Sequence, residues 1–365
     1  MNKWKVPLNK PFFSNETKEL VMNVLDSGMV SQGEMVEQFE EAVRKYVGAK
    51  YALAVSSCTA GMWMALNTFD QRGTWWGVPA FTFPAIHNIK AMYGGDVQIN
   101  HIDVETNTYN TDVEQLENEL YDDMIVPIHQ FGMPCDMDRI RARGRERNSF
   151  VLEDAACALG SSYRGKMIGS EGTAVFSFHG RKILTTGEGG MIVTDDEELY
   201  ERCMLMRQFG RNKAGEWRGH GLNFKMSDVA AAMGLGQIRW LDATIGIRRE
   251  IAETYDKQLN ELLIDGYQAF NYFTTPYRKE DRTGTNWQSY VIKLHEKKGV
   301  KPRDEVLNSM RTKGIEGQVG SYDNSNGMCK NSAELARTTL ALPIWPEMTM
   351  DGIDLVINAL EEALA

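Results

Sequence analysis

The chain has no run of about 18 apolar residues, so no membrane-spanning helix is expected. Cationic residues are in deficit: 40 Lys and Arg against 50 Asp and Glu leave a net charge of -10. That balance excludes nucleic acid as a main partner, because phosphate backbones demand a basic face. A local basic pocket for a phosphorylated small molecule is still allowed. Cysteines number five and histidines six, with no close Cys-x-x-Cys pair and no metal-ligand spacing. Neither a disulfide frame nor a zinc site is expected, and a reduced cytoplasmic setting is. The opening Met1-Asn2-Lys3-Trp4-Lys5, followed by Pro7 and Asn9, lacks the apolar core of a signal peptide. No Gly-x-x-x-x-Gly-Lys-Ser/Thr stretch occurs, which leaves nucleotide triphosphate hydrolysis without support.

The 365 residues, 42% of them hydrophobic, suffice for one large domain and a smaller one. Strand-like runs are Tyr51–Val55, Gly77–Thr82, Val97–Ile102, Met124–His129, Phe150–Leu152, Ala174–Phe178 and Met191–Thr194. Helix-like stretches such as Asp112–Tyr121 and Met137–Arg145 lie between them. This alternation predicts an α/β domain with a mostly parallel sheet, whose ligands bind at the carboxyl ends of strands. Ahead of it, Ser14–Leu25 and Glu34–Tyr46 read as amphipathic helices, and Lys225–Leu241 reads as one long helix with Ser227 as a cap. The stretch from Asp242 onward, with strands at Ser289–Leu294 and Thr339–Leu342, reads as a second α/β domain. The expected division is 1–241 and 242–365.

Chemistry concentrates in Ser177-Phe178-His179-Gly180-Arg181-Lys182 and Thr185-Thr186-Gly187-Glu188-Gly189-Gly190, with Glu153-Asp154-Ala155-Ala156 upstream. A lysine that forms a Schiff base and an aspartate that protonates a pyridine nitrogen are the two groups a pyridoxal phosphate (PLP) enzyme needs. Asp154, Ser177 and Lys182 are all expected just past strand ends, where they can converge. Ser56-Ser57-Cys58-Thr59-Ala60 is a small, hydroxyl-rich turn opening a helix at about Ala60–Leu66, which suits phosphate. Ser177 offers one more hydroxyl. Phe83, in Phe81-Thr82-Phe83-Pro84-Ala85, could stack on a planar ring. Taken singly, each also describes a loop lysine, a helix cap or a core aromatic.

The ordered set resembles the DegT/StrS family of PLP-dependent sugar aminotransferases, nearly end to end. Besides the segments above, it includes Val6-Pro7-Leu8, Val24-Leu25-Asp26-Ser27-Gly28, Pro79-Ala80-Phe81-Thr82-Phe83 and Pro127-Ile128-His129-Gln130-Phe131-Gly132. Gly221-Leu222-Asn223-Phe224-Lys225-Met226-Ser227 and Leu342-Pro343-Ile344-Trp345-Pro346 complete it. The resemblance implies the aspartate-aminotransferase fold (fold type I), with a mostly parallel seven-stranded sheet in the large domain and a smaller C-terminal α/β domain. It implies that Lys182 binds the cofactor and carries the proton, and that Asp154 pairs with the pyridinium nitrogen. Phe83 would stack on the ring, and Cys58, Thr59 and Ser177 would surround the phosphate. Asn223 would reach the phosphate from the neighbouring subunit of a homodimer.

The resemblance further implies amino transfer from an amino acid, glutamate by preference, to a nucleotide-linked keto-deoxysugar, with ping-pong kinetics. Relatives that are sugar dehydratases carry histidine where this chain has Lys182, which favours transamination here. A ketocyclitol acceptor is the alternative within enzymes, and a non-catalytic sugar-nucleotide binder on the same fold the alternative outside them. Two positions depart from the family. Cys58 replaces a more usual glycine and is expected at an ordinary φ; Cys157 replaces a glutamine or histidine that contacts the cofactor hydroxyl. For the substrate, the candidates are His179, Tyr322 in the short Gly320-Ser321-Tyr322 stretch, and Arg211, Lys213 and Arg218 in a basic, glycine-rich loop facing a partner subunit.

Overall fold

The computed structural model describes residues 3–212, 214–264, 266–276 and 284–365. Seven strands form the main sheet: β1 (Tyr51–Val55), β2 (Thr74–Pro79), β3 (Val97–Ile102), β4 (Met124–Ile125), β5 (Phe150–Asp154), β6 (Thr173–Ser177) and β7 (Gly190–Thr194). Their order across the sheet is β1-β7-β6-β5-β4-β2-β3. Every neighbouring pair is parallel except the two that involve β7, which runs against both β1 and β6. The expected mostly parallel seven-stranded sheet is therefore present.

Both faces of this sheet are buried away from its edge strand β3, which is why strands such as β1, β6 and β7 are near-continuous apolar runs. Alternate residues serve opposite cores. Ala54, Ala174, Phe176, Met191 and Val193 pack on the face covered by the helices Glu34–Val47, Met137–Arg147 and Asp228–Ile238. Leu53, Val55, Val175 and Ile192 pack on the other, against Cys58–Leu66, Ala85–Met92 and Glu197–Arg207. Gly234 is needed where two of these helices cross, since a Cβ there would lie 2.4 Å from Phe39 Cζ.

A second, antiparallel sheet holds Phe273–Thr274, Tyr290–Leu294, Thr339–Leu342 and Gln318–Val319, in that order. Helices Leu241–Glu261, Arg303–Thr312 and Met350–Leu364 cover it. The chain's opening joins this unit: Val6 bridges Ile315 in parallel, and Ile344 N–H donates to Leu8 O. No helix among the described residues is long and apolar enough to cross a membrane.

Several expected bounds shift. The single helix expected over Lys225–Leu241 starts at Asp228, where Ser227 accepts the Ala230 N–H, and breaks at Arg239–Trp240 before resuming at Leu241. Trp240 leaves helical geometry (φ -103°, ψ 2°), and Ile238 and Leu241 on either side of it are both buried. The run Met124–His129 is a strand only at Met124–Ile125, because Pro127 has no N–H to give a ladder. Phe81–Thr82 leaves the β2 line to pair with Tyr322–Asp323. Asp154 and Ser177, expected past their strands, are instead the last residues of β5 and β6.

Gly33 caps the helix Glu34–Val47 without a side chain of its own. Asp228 supplies the acceptor from a distant part of the chain: its Oδ1 takes the N–H groups of Gly33 at 2.8 Å and Val36 at 3.0 Å. Asp228→Ala leaves two donors without that acceptor and is expected to lower unfolding stability by about 2 kcal/mol in urea titration. A loss below about 0.5 kcal/mol would contradict this role.

Candidate active site

The site lies at one rim of the main sheet. The parallel strands β1, β5 and β6 end there with Val55, Asp154 and Ser177. Antiparallel β7 begins there, so Gly190 sits in register with Val55 on one side and Ser177 on the other. A cavity of about 420 Å³ opens at this rim. Cys58, Thr59, Phe83, Asp154, Cys157, Ser177, His179, Lys182 and Tyr322 all line it. Nine of the expected site residues thus meet in one place.

Asp154 is buried (7% exposed), and its backbone is pinned on both sides: its N–H donates to Pro127 O at 2.9 Å and its O accepts the His129 N–H at 3.1 Å. Among the described residues its carboxylate accepts only the Ala156 N–H, at 3.0 Å. Burial raises the Asp154 pKa, partly offset by that N–H, by Lys182 and by His129. Lys182 follows β6 on a turn closed by its N–H to His179 O at 2.9 Å, and its Nζ reaches Cys157 Sγ at 3.0 Å. Burial alone would push the Lys182 ammonium pKa down; Cys157, Asp154 and Cys58 outweigh it, and the net direction is up.

Ser57, φ -164°, caps the helix Cys58–Leu66 by accepting the Ala60 N–H at 3.1 Å. Cys58 and Thr59 are the first two helical residues rather than the preceding turn, so their N–H groups have no intrahelical partner. Cys58 adopts ordinary helical geometry, as expected for a residue replacing glycine. Burial pushes its thiol pKa well up, which makes it inert. The position that does demand glycine is Gly190: a Cβ there would lie 2.6 Å from Cys58 N. Ser177 Oγ accepts the His179 N–H at 3.3 Å, leaving its own hydrogen to donate. Phe83 is 63% exposed, with Tyr322 edge-on at 6.4 Å between ring centroids.

Other expected residues do not reach this cavity within the chain. Asn223 is exposed and bridges Gln208. Arg211 stacks on Trp217 and donates to Gly215 O, and Arg218 pairs with Glu216. Lys213 lies outside the described residues. One residue whose role sequence reasoning missed is His129. It is fully buried, with Nδ1 accepting the Cys135 N–H at 3.0 Å and Nε2 at 3.1 Å from Glu153, itself paired with Arg141. This pattern puts the ring proton on Nε2. Gln288 and Arg181, which also line the cavity, were missed too; no local pattern marks either.

A lysine and a buried aspartate in one cavity, at the carboxyl ends of such a sheet, fit the class of fold-type I PLP-dependent enzymes. Comparison with known proteins places it more narrowly. The chain belongs to the DegT/DnrJ/EryC1/StrS aminotransferase family, whose model matches residues 12–361. It is 33% identical over 391 residues to the spore coat polysaccharide biosynthesis protein SpsC of Bacillus subtilis (strain 168), covering 98% of this chain and 96% of that one. Among solved structures, the sugar aminotransferase CalS13 from Micromonospora echinospora is 26% identical, with a TM-score of 0.85 over 98% of this chain and 99% of that one. The E. coli GDP-4-keto-6-deoxy-D-mannose-3-dehydratase with bound hydrated PLP has the same fold: TM-score 0.86, 23% identity, 98% and 99% coverage.

The residues fit PLP. A helix N-terminus with free N–H groups, kept open by Gly190, suits the phosphate. A buried carboxylate with acceptor capacity to spare suits a ring nitrogen that carries a proton, and Lys182 lines the same cavity. The same burial has a cost when no cation is bound. A carboxyl whose folded pKa is raised adds stability below its unfolded pKa and loses it as pH rises through the folded value. Asp154→Asn is therefore expected to raise the melting temperature of cofactor-free protein at pH 7, with the gain shrinking as pH falls into the ordinary aspartate range. A variant that melts lower at pH 7, or a gain that does not vary with pH, would refute this.

Proposed function

We propose that this chain moves an amino group from an amino acid, L-glutamate by preference, to a nucleotide-linked keto-deoxysugar. The observation that carries the reading is the meeting of Lys182 and Asp154 in one cavity beside the helix N-terminus at Cys58 and Thr59. Bound there, PLP supplies the electron sink that stabilises a carbanion at the carbon bearing the amino group. Lys182 Nζ would hold the cofactor and, as a free amine, would move a proton between the carbon bearing the amino group and the cofactor carbon on the other side of that nitrogen. Asp154 keeps negative charge at the cavity floor, where it favours a protonated ring nitrogen. Cys58 and Thr59 donate backbone N–H groups to the phosphate, and Ser177 donates its hydroxyl. Phe83 covers the flat face of the ring, and Cys157 Sγ stands next to the reactive amine.

One amine serves both half-reactions, so the keto acid leaves before the sugar enters, giving ping-pong kinetics. His179 and Tyr322 line the cavity where an acceptor must pass. Asn223, Arg211 and Arg218, which are off this chain's own cavity, are assigned to the partner's site in a cytoplasmic homodimer, with Lys213 in the same loop. The two arginines are exposed, and guanidinium groups suit a diphosphate. The polysaccharide role in the name of SpsC, and the GDP-sugar in that of the dehydratase, support a nucleotide-linked acceptor.

Purified protein with PLP should show a visible absorbance band that fades on adding L-glutamate and is absent in Lys182→Ala. Amine product should then form only when a keto sugar nucleotide is added. A band unmoved by every amino donor would sink the aminotransferase reading; amination of a ketocyclitol but no sugar nucleotide would sink the acceptor. Gly190→Ala, which drives a Cβ against Cys58 N, is expected to weaken PLP binding about tenfold in an absorbance titration. Unchanged affinity would move the phosphate elsewhere.

A further inference from the structure

The loop that carries Lys182 is held by side-chain amides rather than by a neighbouring strand. Gln237, in the helix Asp228–Ile238, donates to Thr185 O at 2.6 Å and accepts the Thr185 N–H at 3.2 Å. Gln288 donates to Arg181 O at 2.8 Å and accepts the Ile183 N–H at 2.7 Å. Each amide offers one donor and one acceptor to the backbone, as a sheet partner would. The Gln288 pair is special in its placement, because its two partners are the residues immediately before and after Lys182.

Gln288 is itself fixed. Its N–H donates to Asn286 Oδ1 at 2.8 Å, and its carbonyl accepts Arg248 Nη1 at 3.1 Å. The same buried guanidinium donates to Asn9 Oδ1 at 2.8 Å. Asn286 Nδ2 in turn donates to Cys157 O at 2.9 Å. One short stretch therefore grips both members of the Lys182–Cys157 contact: Gln288 holds the lysine's backbone and Asn286 holds the cysteine's. Between them Trp287 sits at φ +54°, a left-handed conformation that a bulky, buried residue avoids unless its surroundings impose it. The kink lets two residues with one gap between them reach different segments of the site.

We infer that Gln288 is a positioning residue for the reactive amine: it sets where Lys182 Nζ stands by clamping the peptide groups on either side of it. This rests on the reading of Lys182 given above. The clamp comes from the end of the chain that builds the second sheet, since Tyr290 opens the strand Tyr290–Leu294 and Ser289 lines the cavity. The lysine is thus located by the small sheet as well as by β6.

The test compares holoenzyme of wild type, Gln288→Leu and Gln288→Glu. Loss of both bonds in Gln288→Leu is expected to lower kcat about tenfold with KM for glutamate within about twofold, and to shift the pH midpoint of the visible band. In Gln288→Glu, an ionised carboxylate still accepts the Ile183 N–H but opposes the Arg181 carbonyl, whereas a protonated one regains the donor. Its kcat relative to wild type is therefore expected to rise at least about fivefold between pH 8 and the glutamate range near pH ~5. A role confined to folding would give no such recovery. A flat ratio overturns the proposal whatever the leucine variant does, including failure to fold. A wild type without a Lys182-dependent band sinks the aminotransferase reading and this proposal with it; a normal wild-type band with a flat ratio sinks this proposal alone.

Discussion

Burying one carboxylate without a full ion pair is the constraint on which the site depends. Asp154 is a destabilising residue for the protein alone, since burial favours its neutral form and the Ala156 N–H and Lys182 offset this only in part. The strands around it supply the rigidity that makes such a position tenable. Its own N–H and carbonyl are tied to Pro127 and His129, so the backbone that carries the carboxylate cannot move out to water without breaking these pairings. His129 is locked in turn by Cys135 and Glu153, and Glu153 by Arg141. A charge that is costly to bury is held there as a fixed feature of the cavity.

The direction of a single strand gathers the other groups. If β7 were parallel to its neighbours, its first residue would lie at the far edge of the sheet, away from Ser177 and Val55. Running against them, it places Gly190 at the functional rim, against the start of the helix Cys58–Leu66. The loop carrying Lys182 is then the direct connection from β6 to β7, a hairpin rather than a crossover, so both of its ends are anchored at that rim. The lysine therefore shares one cavity with the helix start and the buried acid.

Much of this was legible in the residues. Tyr51–Val55, Val97–Ile102 and Thr339–Leu342 were read with their observed bounds: the first and last are largely buried apolar runs, whereas Val97–Ile102 is an edge strand that mixes apolar and polar residues. Nine of the site residues converge because strand ends and helix starts carry recognisable chemistry. The helix break at Trp240 left no trace, since no glycine or proline marks it and both halves continue an apolar period. Gln288 was equally silent: a glutamine at the edge of a strand reads as solvent-facing, and its role depends on a loop that lies 105 residues earlier in the chain. Asn223, Arg211 and Arg218 show the remaining limit, because residues whose chemistry is assigned to another subunit cannot be located from one chain's cavity.

The opening residues have a temporal consequence. Lys5 and Val6 N–H groups both donate to Gly314 O, Glu316 N–H returns to Val6 O, and Trp345 Nε1 reaches Pro7 O. During synthesis this segment thus waits for residues as much as 338 positions further along before it finds its partners. The main sheet closes once Gly190–Thr194 reaches Tyr51–Val55, but the small unit closes only when Lys5–Leu8 meets Gly314–Glu316 and Trp345. Contacts that span so much chain are entropically slow to form, which places this seam among the last parts of the native structure to consolidate.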